Sequence, residues 1–265
     1  MLQRTFVHLP RVGYQTEQRL WQQGLADWES ALGASHAPAG FSASRWREAC
    51  GHLEASRYSL GRREHRFFAR ALPSADHWRA WPDFADRTAY LDIETTGCGL
   101  GACVTVVGVW DGRRMRSYVA GDNLDALPEE IEQYALLVTF NGASFDLPFL
   151  RRRFPAWPPD LLHVDLRYAL AHLGLRGGLK ALERRCGLAR EDDLEGLGGE
   201  DAVRLWFAYR AGSEAALDLL VRYNAADVQN LEPLMQLAHH RLSAALLPAC
   251  APGGVPHGVG AERDP

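Results

Sequence analysis

Residues 88–120 decide the fold, and they read TAYLDIETTGCGLGACVTVVGVWDGRRMRSYVA. Three runs rich in β-branched and apolar residues lie within this stretch, at 88–94, 102–110 and 113–120. Asp111-Gly112 separates the second run from the third, and Asp-Gly between such runs is a strong signal for a β-hairpin. We therefore predict three antiparallel strands, the last two joined by a two-residue turn at Asp111-Gly112.

Downstream of this stretch the pattern changes to helices that alternate with short apolar runs. We predict strands at 136–140 and 162–165, and helices at 127–134, 149–154, 166–173, 179–186 and 213–242. Pro233 should bend or break the last helix, because proline cannot donate a backbone hydrogen bond. Three strands followed by alternating helix and strand indicate an α/β fold with one mixed sheet.

Upstream of the stretch the chain is rich in tryptophan, glutamine and arginine at helical spacings. We predict a mainly helical N-terminal region over 1–86, with helices near 14–30 and 44–70 and a small-residue linker at 33–44. The α/β domain is predicted over 87–245, and a disordered tail rich in proline and glycine over 246–265. The role of the N-terminal region stays open between guiding a substrate, binding a partner and bracing the sheet.

Composition excludes several classes of protein. The 265 residues are 47% hydrophobic and 23% charged, and the formal net charge is −4. No unbroken apolar run is long enough for a membrane span, and no apolar signal-peptide core is visible, so we expect a cytoplasmic protein without a membrane partner. Five cysteines without a CxxC pair indicate neither a disulfide framework nor a zinc site. The negative net charge means that any contact with nucleic acid must be local.

Two carboxylates share one face of the first predicted strand. Side chains alternate along a strand, so Leu91 and Ile93 point to one face while Asp92 and Glu94 point to the other. An exposed edge strand would also tolerate such a pair. Thr95-Thr96-Gly97 ends the strand in a sharp turn, however, and sites in α/β proteins open at such strand ends.

Two further acids follow at the beginning and in the middle of predicted helices. Asp146 comes after a buried strand and a glycine loop, where an aspartate commonly serves as a helix N-cap. Asp227 lies inside an apolar helical stripe, together with Tyr223 one turn earlier. A buried carboxylate is costly unless a metal ion or a cation pairs with it, and one of the many arginines is the alternative partner.

Oxygen ligands without histidine or cysteine suit hard cations such as Mg²⁺ or Mn²⁺. Asp92, Glu94, Asp146 and Asp227 balance two divalent ions in charge. Two such ions about 4 Å apart promote in-line displacement at phosphorus.

Three motifs give the sequence a family resemblance. DIETTG (92–97), NGASFDLPFL (141–150) and YNAAD (223–227) resemble, in order, the exonuclease motifs of the DEDD superfamily in its tyrosine-bearing subgroup. This superfamily has the ribonuclease H-like fold and includes the proofreading domains of family B polymerases. The match runs from Arg87 to His240, and it is most similar to stand-alone predicted exonucleases of that fold.

The resemblance implies a 3′–5′ exonuclease that releases nucleoside 5′-monophosphates from DNA or RNA with a free 3′ end, which we expect to be single-stranded. It implies catalytic roles for Asp92, Glu94, Asp146, Tyr223 and Asp227, with the four acids as ligands of two Mg²⁺ or Mn²⁺ ions. Thr95, Thr96, Asn141 and Phe145 would contact the terminal nucleotide, and Asp165 would support the site from behind its ligands. Arg151, Arg152 and Arg153, near the second motif, are candidate phosphate contacts, although the face of a helix could equally present them to water.

Two other functions remain open from the sequence. The chain could be a nucleic-acid-binding or scaffold module that keeps the fold without turnover, and the intact acids argue against this. It could also be a structure-selective endonuclease that uses the same metal ions.

Overall fold

The computed structural model describes residues 1–99 and 101–246. The predicted disordered tail at 246–265 lies outside this part of the chain, apart from its first residue. Across the described residues, no helix is both long enough and apolar enough to cross a membrane.

The centre of the molecule is a five-stranded mixed sheet. Its strands are β1 (Thr88–Thr95), β2 (Val104–Trp110), β3 (Met115–Val119), β4 (Leu136–Thr139) and β5 (Leu162–Asp165). They lie in the order β3-β2-β1-β4-β5. β1–β2 and β2–β3 pair antiparallel, while β1–β4 and β4–β5 pair parallel. The predicted α/β fold with three antiparallel strands in a mixed sheet is confirmed.

The hairpin between β2 and β3 is present, but its predicted two-residue turn is wrong. Trp110 pairs with Met115, so four residues, 111–114, form the loop. The Asp111 carboxylate accepts hydrogen bonds from the backbone N–H groups of Arg113 and Arg114, both at 2.8 Å. This aspartate therefore organises a longer turn from within, as Asx turns do.

The N-terminal region is helical, as predicted, and it packs onto the sheet. Its α-helices are α1 (Tyr14–Gln22), α2 (Trp28–Leu32), α3 (Ala43–Gly61) and α4 (His65–Ala71), and a 3₁₀ helix follows at Ser74–Asp83. The stretch predicted as one helix over 44–70 is interrupted near Arg63, whose φ of +56° is incompatible with a continuous helix. Phe6, Trp28 and Phe68 belong to the same apolar cluster as Tyr90 and Val138 of the sheet.

Seven α-helices follow or interleave with the strands in the described part of the domain. They are α5 (Leu127–Ile131), α6 (Asp146–Arg153), α7 (Leu166–Ala171), α8 (Leu179–Cys186), α9 (Gly199–Arg210), α10 (Glu214–Gln229) and α11 (Leu231–Leu246). Of these, α9 was not predicted from the sequence. The predicted break of the last helix falls at Asn230, and Pro233 then lies in the first turn of α11, where backbone N–H groups need no helical partner.

Both faces of β1 are buried, and this determines where the candidate site lies. Leu91 and Ile93 pack in one apolar cluster with Leu147 and Leu150 of α6. The opposite face of the sheet is covered by α10, which contacts both β1 and β2. The face that carries Asp92 and Glu94 is therefore covered by a helix, and it is not an exposed edge.

The close approach of α10 to β2 depends on Gly108. A Cβ atom at this position would lie 2.2 Å from the Asn224 side-chain oxygen and 2.8 Å from Val228. We expect Gly108→Ala to lower the free energy of unfolding by about 1–3 kcal/mol, the usual cost of overpacking. Denaturant unfolding would measure this, with Gly51→Ala as the control, because a Cβ atom there meets no atom within 4 Å. Equal stability of the two variants would contradict this account of the contact.

Candidate active site

The candidate site lies at the carboxyl ends of the parallel strands. Tyr90 pairs with Val138 and Thr139 pairs with Asp165, so β1, β4 and β5 run in the same direction toward one edge of the sheet. Asp92 and Glu94 lie near the end of β1, and the register of the β1–β2 ladder shifts directly after Glu94. The first two predicted acids are thus held on a rigid strand at the open edge.

Asp146 is the first residue of α6, and the N-cap position belongs to Phe145. The Asp146 side chain is 2% exposed, and its Oδ1 atom has no hydrogen-bond partner in the described structure. It is therefore not a simple helix cap, and a buried carboxylate oxygen without a partner is costly unless a ligand completes it.

α10 contributes Tyr223 and Asp227 from one face, four residues apart. Both are buried, with exposed fractions of 5% and 6%. Asn224, between them in sequence and fully buried, donates a hydrogen bond to the Asp92 carboxylate at 3.1 Å. The predicted stripe of α10 therefore faces β1, and Asn224 ties the two elements together.

The structure brings the predicted acids into one pocket. Asp92, Glu94 and Asp227 each offer an oxygen, and these three atoms lie within 4.8 Å of one another. Asp146 is not part of this tight group, but it lines the same pocket of about 500 Å³. Four acids that are far apart in sequence are thus neighbours in the fold.

Burial raises the pKa of all four acids, and for Asp92 and Glu94 the charges of the neighbouring acids raise it further. Burial, followed by the charges of Asp146, Asp227 and Glu94, raises the pKa of Asp92 well above its usual range. Burial and the charge of Asp227 raise the pKa of Glu94 to about 8. Burial raises the pKa of Asp146 to about 7, and it also raises the pKa of Asp227, against the opposing effect of Arg190. The site is short of positive charge.

These shifts predict how stability depends on pH. The raised pKa values of Glu94 and Asp146 exceed the values near 4 of an unfolded chain. The folded protein therefore binds more protons than the unfolded chain. The stabilisation that Glu94 and Asp146 give in their protonated forms is lost as the pH rises through about 7 and 8. Without divalent ions, we expect the free energy of unfolding to fall by about 1 kcal/mol between pH 7 and pH 9, an amount similar to one pKa unit.

Urea denaturation in EDTA at the two pH values tests this prediction. The buried histidines, whose pKa values are lowered by burial, oppose this decrease near pH 7, so the wild type is compared with a variant that lacks the two acids. A Glu94→Gln, Asp146→Asn double variant should lose most of the decrease. A change with pH that is the same in the double variant as in the wild type would contradict the shifts.

Arg190 and Glu183 complete the acidic site, and neither was predicted from the sequence. The Arg190 guanidinium forms ion pairs with Asp227 and with Glu183, the latter at 2.6 Å. Glu183 is 2% exposed and also accepts a hydrogen bond from the Asn230 side chain at 3.1 Å. The only available signal was an acid beside Leu182 on the buried face of the amphipathic helix α8.

Lys180 also faces the site. Its Nζ atom lies 4.5 Å from the centroid of the Tyr223 ring and has no hydrogen-bond partner in the described structure. Burial lowers the pKa of Lys180, while the nearby charge of Asp227 opposes this shift. One unpaired ammonium group is therefore held over the tyrosine, next to the acids.

Of the residues predicted to contact the terminal nucleotide, three line the pocket of the four acids and one does not. Thr95, Asn141 and Phe145 line the pocket of the four acids. Thr96 does not contribute to the lining among the described residues, and its hydroxyl accepts a hydrogen bond from Cys103 N–H at 3.0 Å. The loop after β4 thus faces the acids, while Thr96 faces the neighbouring loop.

Asp165 lies at the end of β5, behind that loop. Its carboxylate accepts hydrogen bonds from the backbone N–H groups of Asn141 at 2.8 Å and Ala143 at 3.0 Å. A third bond, from Arg167 N–H, caps α7. Asp165 therefore fixes the loop that carries Asn141 and leads to Asp146.

The arginine triplet near the second motif points away from the acids. Arg151 lines a different pocket, with Phe154, Trp157 and His163 among its neighbours. Arg152 donates to the Ala102 carbonyl oxygen, and Arg153 pairs with Asp125. As phosphate contacts for a strand in the acidic pocket, the three arginines are wrongly placed.

A five-stranded mixed sheet of this order, with helices packed against it, defines an α/β domain of the RNase H-like class. A family model of the RNase H superfamily matches residues 89–239, and the chain belongs to this superfamily. The buried acidic triad provides a place for the divalent metal that nucleases of this superfamily use.

Among solved structures, the chain is similar to the family B DNA polymerase from the hyperthermophilic archaeon Pyrobaculum calidifontis. The identity is 20%, the TM-score is 0.45, and the similarity covers 61% of this chain. It spans 24% of the polymerase, so it concerns about a quarter of that protein. No curated protein matches this chain.

Proposed function

We propose that the chain is a 3′–5′ exonuclease of the tyrosine-bearing DEDD subgroup, which uses two Mg²⁺ or Mn²⁺ ions. Its substrate is DNA or RNA with a free 3′ end, in single-stranded form, and its products are nucleoside 5′-monophosphates. The observation that supports this best is the convergence of Asp92, Glu94 and Asp227 to within 4.8 Å in the pocket that Asp146 also lines.

The residues fit hard divalent cations. Every candidate ligand is a carboxylate oxygen, which Mg²⁺ and Mn²⁺ prefer. Asp146 Oδ1 is buried without a partner, and the raised pKa values of Asp92 and Glu94 indicate that the acids lack enough positive charge. Asp92, Glu94, Asp146 and Asp227 would hold the ions, which when bound polarise the attacking water and stabilise the leaving oxygen.

The protein's own residues would position the reactants. Burial and the charges of Asp227, Glu94 and Asp92 raise the pKa of Tyr223 far above its usual value, so it remains a neutral phenol. The Tyr223 hydroxyl can orient a water molecule by hydrogen bonding. Lys180, beside the Tyr223 ring, can contact the scissile phosphate, and Asn141, Thr95 and Phe145 can hold the terminal nucleotide.

End-labelled strands test the proposal. Single-stranded DNA and RNA oligonucleotides labelled at the 3′ or 5′ end are incubated with the full-length protein in Mn²⁺ and in EDTA. We expect labelled mononucleotide at the earliest time from the 3′ label, a ladder of shortened strands from the 5′ label, and no products in EDTA. Release of a 5′-terminal mononucleotide first, or cleavage of circular single strands, would contradict an exonuclease acting from the 3′ end.

A further inference from the structure

A second cavity opens directly from the acidic pocket. Its volume is about 1020 Å³, at the upper end of the range of about 300–1,000 Å³ for pockets that enclose a small molecule. It shares with the acidic pocket the residues Asp92, Phe140, Asn141, Gly199, Tyr223 and Asp227. A chain whose end lies among the acids could therefore continue into this cavity.

One wall of this cavity is basic, although the protein carries a net charge of −4. α7, α8 and the loop between them contribute Arg167, Arg176, Lys180 and Arg184. Within residues 1–99 and 101–246, the guanidinium groups of Arg176 and Arg184 form no ion pair, and both residues are exposed. Unpaired arginines beside a path for a strand suit phosphate groups.

The same wall presents an aromatic side chain. Tyr168 on α7 is 52% exposed, and its hydroxyl lies 3.2 Å from Ser144 Oγ. Next to it, Arg167 donates to the Asn141 side-chain oxygen at 2.7 Å and so links this wall to the acidic pocket. An exposed ring beside unpaired cations is the arrangement on which single-stranded bases stack, whatever their sequence.

We propose that Tyr168, Arg176 and Arg184 form a binding wall for the single strand on the 5′ side of the nucleotide that is removed. Tyr168 stacks on a base, and the two arginines contact phosphates. A single strand exposes the faces of its bases, whereas a duplex covers them, so the wall selects single-stranded substrate. This inference rests on the proposed function, because it assumes that the 3′ end lies among the acids.

Fluorescence anisotropy tests the wall apart from catalysis. A 5′-fluorescein-labelled single strand is titrated with full-length protein in Ca²⁺, and a gel shows whether the strand stays intact. We expect Tyr168→Ala to weaken binding about fivefold or more, the usual effect of losing one stacked base, and Tyr168→Trp to retain affinity. Arg176→Gln with Arg184→Gln should lower the slope of log affinity against log salt by about 0.7 for each phosphate that the protein no longer neutralises.

Two matched controls are available on the same chain. Tyr58→Ala removes a ring that is 64% exposed on α3, and Arg151→Gln with Arg152→Gln removes two positive charges outside both cavities. Both controls should bind as the wild type does. Thermal unfolding of each variant by circular dichroism shows that it is folded.

The outcomes separate this inference from the proposed function. If the wild type cleaves from the 3′ end but the wall variants bind normally, the proposed binding wall is contradicted and the proposed function stands. The same holds if the Arg151, Arg152 control variant, and not the wall variants, weakens binding. If duplex binds as tightly as single strand, the wall is wrong as well. If the wall variants lose binding but the wild type does not cleave in Mn²⁺, the function is wrong and the binding surface stands.

Discussion

Asp92→Asn should lower the rate of strand cleavage by at least about 10²–10³-fold, the cost of losing one preorganised electrostatic partner in other active sites. Asp92 belongs to the triad of oxygens within 4.8 Å, so its loss removes a ligand charge that no neighbour can replace. Single-turnover cleavage of a 3′-labelled strand in Mn²⁺ measures the effect. Asp218→Asn, at an exposed position on α10, should leave the rate unchanged.

The same substitution should have the opposite effect on stability without metal. Burial and three neighbouring acids raise the pKa of Asp92. Asparagine at this position therefore removes electrostatic repulsion from the folded state. We therefore expect Asp92→Asn to be as stable as the wild type in EDTA, or more stable. A variant that loses activity together with folding stability would contradict this account, because the loss of activity would then follow from unfolding.

Arg190→Leu should lower the free energy of unfolding by about 3–5 kcal/mol in EDTA, the cost of breaking a buried ion pair from one side. The Arg190 side chain is 7% exposed and bonds both Asp227 and Glu183. Its removal leaves two buried carboxylates without their cation. Guanidinium chloride denaturation measures the loss, and Glu183→Gln in the Arg190→Leu background should recover part of it.

Arg222 provides the control for Arg190. It also bonds two carboxylates, those of Glu191 and Asp193, but its side chain is 39% exposed. Ion pairs at the surface contribute little net stability because solvent screens them, so Arg222→Leu should cost far less than Arg190→Leu. Equal losses from the two substitutions would contradict a structural role for the buried network around Asp227.

The sheet was predictable because its signals are local. The runs that form β1 to β3 carry alternating and β-branched residues, and Asp111-Gly112 marks the hairpin within them. The length of the turn was not predictable, because it depends on which residues pair across the ladder. α9 was missed because only Ala202 and Trp206 of this helix are buried, which is too sparse a stripe to show helical spacing.

The candidate site was predictable in part. Three motifs that follow one another along the sequence contain Asp92, Glu94, Asp146, Tyr223 and Asp227. The fold brings these residues to one pocket. Arg190 was missed because its partner Asp227 is 37 residues away, and no sequence pattern reports such a contact. The arginine triplet was misplaced because proximity to a motif in sequence does not fix the direction of a side chain on a helix.

Isothermal titration of the full-length protein with Mn²⁺ tests the central claim most directly, namely that these acids form a site for divalent ions. We predict saturable binding to the wild type, and loss of that binding when Asp92→Asn and Asp227→Asn are combined. Saturable binding that is unchanged in this double variant, or no binding heat and no thermal stabilisation of the wild type by Mn²⁺, would contradict the claim.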